Sequence, residues 1–75
     1  MAANNPYTDP VLAEKIMLYL YEPEKSGQRI SVGDMARLWN IDTDKVTTTC
    51  RELYENKPDE FEVDDAGYPS MIELR

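Results

Sequence analysis

What this chain could do chemically is bounded first by what it lacks. It has no histidine and a single cysteine, Cys50. Neither a Cys–His nucleophilic pair nor a zinc site of ordinary ligand composition can be assembled within it. Asp59, Glu60, Glu62, Asp64 and Asp65 crowd together, but not in the Asp-x-Asp-x-Asp-Gly order of a calcium loop, and there is no glycine-rich phosphate loop. No cofactor site and no enzymatic activity are expected. What remains is non-covalent recognition by the hydroxyls and cations of Thr43, Lys45, Thr47, Thr48 and Arg51. Threonine hydroxyls bond to base edges or phosphates, and an arginine can read guanine with two hydrogen bonds. The same residue types also serve simply to solvate an exposed helical face.

The elements that would position these groups lie between Ser31 and Asn56. Met35, Ala36, Leu38 and Trp39 fall at the spacing of one helical face. Asn40-Ile41-Asp42 interrupts the pattern, and Val46, Cys50 and Leu53 resume it at i, i+4, i+7, with Tyr54 beside them. Ser31 with Asp34 reads as a capping box, and Asp42 can cap the following helix, with Asp44 favourable in its first turn. Pro58 ends that helix near Asn56 by disfavouring helical geometry at Lys57. If Val46, Cys50 and Leu53 face inward, Thr43, Thr47, Thr48 and Arg51 face outward, with Lys45 at the edge. Two helices this short must pack on each other and on something else.

The flanking stretches supply that something. Residues 1–7 hold two asparagines and a proline without periodicity, and are expected to be a loose N-terminal arm; residues 8–75 form one domain. Thr8 or Asp9 can cap a helix with Pro10 in its first turn, running to about Glu22. Leu12, Ile16 and Leu20, with Tyr19 alongside, form its core stripe. Val11, Met17, Leu18 and Tyr21 make its second half apolar nearly all round. Met17, Leu18 and Tyr21 are candidates for self-association, unless further buried neighbours cover them. Pro23–Gln28 is a loop by composition, and Arg29-Ile30 is a short extended piece that needs a partner strand. Beyond Pro58 the period changes to two: Phe61 and Val63, then Ile72 and Leu74, alternate with polar residues around Asp64–Ser70. This is a β-hairpin with a loop of five to seven residues.

Composition limits the partners. At 75 residues the chain makes one domain near the lower size limit for a self-sufficient core. Its first ten residues have neither a basic n-region nor a long apolar run, so no signal peptide or membrane span is expected. One cysteine precludes an intrachain disulfide and suits a reducing, cytoplasmic setting. The net charge is −7, unevenly spread. Residues 28–57 carry five acids and five bases, whereas residues 58–75 carry six acids against Arg75 alone. The two central helices are therefore neutral, and the acidity sits in the hairpin.

Helix, extended piece, helix, turn, helix and hairpin is an order that resembles the winged helix–turn–helix family over about residues 9–75. Ser31…Met35-Ala36…Leu38…Asn40-Ile41-Asp42…Val46…Cys50…Leu53 is similar to that family's pattern. Asn40 stands where many members have glycine, and Cys50 where leucine is commoner; asparagine tolerates the left-handed conformation, and cysteine buries well. The resemblance implies an α+β fold, a three-helix bundle with a C-terminal hairpin wing. It further implies a small regulator of transcription or replication that reads double-stranded DNA with its third helix, about residues 42–56, through Thr43, Lys45, Thr47, Thr48 and Arg51. The wing tip points elsewhere. Asp64, Asp65 and Tyr68 offer carboxylates rather than cations, which suits a basic protein partner. The alternative is therefore an interaction module, or an acidic inhibitor or adaptor in a nucleic-acid-processing assembly. A homodimer would double the few cations available to DNA.

Overall fold

The computed structural model describes residues 6–75. Helix α1 (Pro10–Leu20) starts where Asp9 Oδ1 accepts the Leu12 amide at 3.1 Å, with Pro10 in the first turn. It stops two residues before the expected Glu22, with Tyr21 as the capping residue. The following loop contains one 3₁₀ turn, Pro23–Lys25. Strand β1 (Ile30–Ser31) leads into α2 (Val32–Trp39), and Ser31 Oγ accepts the Asp34 amide at 3.2 Å. The Asp34 carboxylate engages Arg37 one turn later.

Asn40 ends α2 in the left-handed conformation, with φ 55° and ψ 49°. The Ile41 amide then donates to Ala36 O at 2.9 Å, which closes the helix end and turns the chain sharply. Asp42 caps α3 (Thr43–Asn56) by accepting the Asp44 amide at 2.9 Å. Helix, turn and helix thus follow the sequence reading.

Strands β2 (Phe61–Val63) and β3 (Met71–Leu74) form an antiparallel hairpin joined by residues 64–70. The extended piece finds its partner: β1 pairs antiparallel with β3, Ile30 opposite Ile72, and the sheet order is β1-β3-β2. Glu62 and Glu73 lie directly opposite each other across β2 and β3, a like-charge pairing that costs stability. Arg75 beside Glu62 at 3.4 Å and Arg29 beside Glu73 at 3.0 Å offset it. The fold is α+β, a helix–turn–helix with a β-hairpin wing.

Leu12, Ala13, Ile16 and Leu20 of α1 meet Val32, Met35 and Ala36 of α2, and Val46, Cys50 and Leu53 of α3. Phe61 and Ile72 close this core from the sheet. One residue departs from its expected place: Leu38, assigned to the apolar face of α2, is 60% exposed. Met35 and Ala36 already fill the contact, and Leu38 lies about 200° around the helix from Ala36, on its far side. Residues 1–5 of the expected arm lie outside the described residues; Tyr7, at its end, packs half-buried against the core. No helix among the described residues is long and apolar enough to cross a membrane.

Candidate nucleic-acid interface

Helix α3 shows water a different stripe from the one expected. Val46, Thr47, Thr49, Cys50 and Leu53 are buried, so the opposite side presents Asp44, Thr48, Arg51 and Glu55 at i, i+4, i+7, i+11. Lys45 and Glu52 flank that stripe, and Thr43 is exposed at the helix start. Thr47, expected to face outward, is 4% exposed. The reason is angular: three residues before Cys50, Thr47 stands only about 60° from it around the helix, at the margin of the apolar face. Thr49 is buried too, and its hydroxyl is satisfied by donating to Lys45 O at 2.8 Å. Of the five candidate contact residues, Thr43 and Lys45 are exposed, Thr48 and Arg51 are half-buried on the outward side, and Thr47 is buried.

Two acids on this surface were not among the candidates. Asp44 and Glu55 bracket Thr48 and Arg51, a placement that the i, i+4, i+7, i+11 count gives once Val46, Cys50 and Leu53 are set inward. Asp44 Oδ1 accepts the Tyr68 hydroxyl at 3.1 Å, which ties the wing tip to the first turn of α3. Glu52 accepts both the Thr8 amide at 3.0 Å and the Thr8 hydroxyl at 2.6 Å. Between the start of α1 and the first half of α3 lies an open cleft of about 340 Å³, lined by Thr8, Asp9, Asp44, Lys45, Thr48 and Thr49. It offers one ammonium and several hydroxyls between two carboxylates.

The cations divide sharply by whether they already have partners. Lys25 pairs with Glu22, Arg29 with Glu73, Arg37 with Asp34 and Arg75 with Glu62. Lys15 lies over the Trp39 ring, 5.2 Å from its centroid. Lys15 makes no ion pair, and among the described residues the other cations without one, Lys45, Arg51 and Lys57, belong to α3 or its C-terminal cap.

The wing acids have local work. Asp64 Oδ1 accepts the amides of Ser70 and Met71, both at 2.9 Å, and Oδ2 accepts the Ser70 hydroxyl at 2.5 Å. These bonds, led by the Ser70 hydroxyl, hold the Asp64 carboxyl down to about pKa 2. Asp65 accepts the Gly67 amide at 2.9 Å and shapes the turn before Tyr68. Asp64 and Asp65 therefore build the loop that presents Tyr68, and a probe of wing charge belongs at Glu62 instead.

A folded-state pKa below the unfolded value makes the Asp64 contribution complete above about pH 4 and lost as pH falls through about 2. The carboxylate is exposed and screened by water, so its worth is on the order of 1 kcal/mol. Asp64→Ala is expected to lower the melting temperature by about 5 °C at pH 7, with the gap to wild type closing at pH 2. Equal melting curves at pH 7 would show that the loop closes without this carboxylate.

Two self-association candidates are already engaged within the fold. Met17 packs half-buried on the core. The Tyr21 hydroxyl donates to the Glu60 carboxylate, its ring stacks on Phe61 at 6.2 Å, and the bond to Glu60 with partial burial raises its pKa to about 12. Leu18 stays 59% exposed, and Val11, two turns earlier, 77%. Cys50 is fully buried, and desolvation pushes its thiol up to about 12. Among the described residues no group of three or more His, Cys, Asp or Glu side chains could hold a metal ion.

Comparison with protein-family models, with curated proteins and with solved structures finds no significant match to this chain.

Proposed function

We propose that this chain is a small member of the winged helix–turn–helix family that binds double-stranded DNA through the exposed face of α3, as a regulator of transcription or replication. One observation carries the reading. Of the four cations without an ion pair among the described residues, Lys45, Arg51 and Lys57 lie on α3 or its cap and only Lys15, over the Trp39 ring, lies elsewhere, while the rest are paired with acids. Thr43 and Thr48 add hydroxyls beside them. Asp44 and Glu55 limit how strongly phosphates are attracted, so binding is modest and governed by salt. Fluorescence anisotropy with a labelled duplex checks this. Three phosphate contacts predict a slope of log K against log salt of about −3 per chain. A slope near zero, or no binding at low ionic strength, refutes the reading.

A second reading rests on the charge of the hairpin. Its tip holds no cation, and residues 58–75 carry six acids against Arg75, which fits a basic protein surface. Glu62→Lys separates the two. DNA affinity rises with the added cation, whereas binding to a basic partner falls if the wing is its site.

A further inference from the structure

The geometry points to a homodimer built on the outer face of α1, with the two copies of that helix running parallel about a twofold axis along their length. The exposed stripe of α1 is Val11, Glu14, Lys15 and Leu18, at i, i+3, i+4, i+7. Val11 at 77% and Leu18 at 59% are the most exposed apolar side chains of the helix. Met17 is half-buried on the core, and Tyr21, 44% exposed, lies beyond the end of the helix with its hydroxyl on Glu60 and its ring against Phe61.

The charges between Val11 and Leu18 choose the occupant and the orientation. At about 100° per residue, Glu14 lies about 50° to one side of the Val11–Leu18 line and Lys15 about 50° to the other. A parallel twofold brings Val11 against Val11 and Leu18 against Leu18 of the second copy. It sets each Glu14 over the other copy's Lys15, since the two differ in height by only about 1.5 Å. An antiparallel pair sets Glu14 on Glu14 and Lys15 on Lys15, which like-charge repulsion opposes. The face is thus complementary to itself in one orientation, the condition for an isologous interface. Lys15 remains exposed where it lies over Trp39, so its ammonium is free to take a partner. Two apolar residues and one charge pair per chain place the contact at the small end of interface sizes, where association is weak and reversible. Dimerisation through α1 does not depend on DNA, and its test contains no nucleic acid.

Sedimentation equilibrium of the full chain, from micromolar to near-millimolar concentration, tests it. Wild type is expected to show a monomer–dimer equilibrium, and Leu18→Glu to sediment as monomer with an unchanged circular dichroism spectrum. Glu14→Lys and Lys15→Glu alone should each weaken dimerisation about tenfold, because each then presents only one sign of charge. An equimolar mixture of these two variants should associate at least as tightly as wild type, and the double variant E14K/K15E should regain wild-type strength. A wild-type mass of one chain throughout the range overturns the proposal. So do single charge variants that dimerise as wild type does, because the antiparallel arrangement predicts that result.

Discussion

Phe61→Ala is expected to bring the domain to the edge of unfolding. Phe61 is completely buried and is the largest of the fully buried side chains. It opens β2 opposite Leu74, its amide donates to Lys57 O at 3.0 Å, and its ring stacks on Tyr21. One side chain therefore joins the end of α3, the end of α1 and the wing. Truncation removes that transfer energy and leaves a cavity that three elements would have to collapse to fill, at about 3–5 kcal/mol. A domain of this size has only roughly 4–11 kcal/mol to lose. The melting temperature should fall by at least about 15 °C, and the urea midpoint should fall with the slope unchanged. Val63→Ala, at the half-buried end of the same strand, should cost about 1 kcal/mol. A Phe61→Ala melt within a few degrees of wild type would show that the wing is not part of the cooperative core.

Most of this architecture was legible because each boundary has a local chemical cause. Ser31 and Asp42 are the capping residues they were expected to be, Asp9 is the one of the pair Thr8 and Asp9 that caps α1, and Asn40 takes the left-handed turn for which its side chain is suited. The change of period beyond Pro58 located the hairpin. Where local pattern was silent, packing decided. That β1 pairs with β3 rather than β2 is a long-range choice that two residues of sequence could not reveal. Leu38 looked like core because it is apolar, but Met35 and Ala36 had already met the contact. Asp64 looked like free surface charge, and it is the acceptor that closes the wing loop seven residues ahead.

The candidate interface was less legible for a related reason. A helical face has soft margins, and a small residue there can be covered by a neighbouring element without any change in its own pattern. Thr47 is such a residue. The ion pairs matter as much as the exposures. Composition counts eight cations, but only contacts across the fold, such as Arg29 with Glu73, separate the committed from the available.

That separation makes Arg51→Ala the decisive variant. Arg51 sits at the centre of the outward stripe of α3 beside Thr48, and it has no ion pair among the described residues. Removing its guanidinium should leave the melting temperature within about 1 °C of wild type, the usual outcome at a surface position without such a partner. Duplex affinity should fall roughly tenfold at low salt. The salt slope distinguishes how Arg51 acts. If it contacts a phosphate, the slope becomes shallower by about 1 and the loss is uniform across sequences. If it pairs with a base, the slope holds and the loss concentrates on the preferred sequence. Thr47→Lys is the matched control. It places an ammonium at a position that is 4% exposed, so it should lower the melting temperature sharply instead of adding affinity, since a buried charge without a partner is costly. If Thr47→Lys binds DNA better and melts as wild type does, the stripe that faces DNA is not the one carrying Thr48 and Arg51. If Arg51→Ala binds as wild type does, α3 does not carry the contact, and the acidic wing becomes the better guide to what this protein meets.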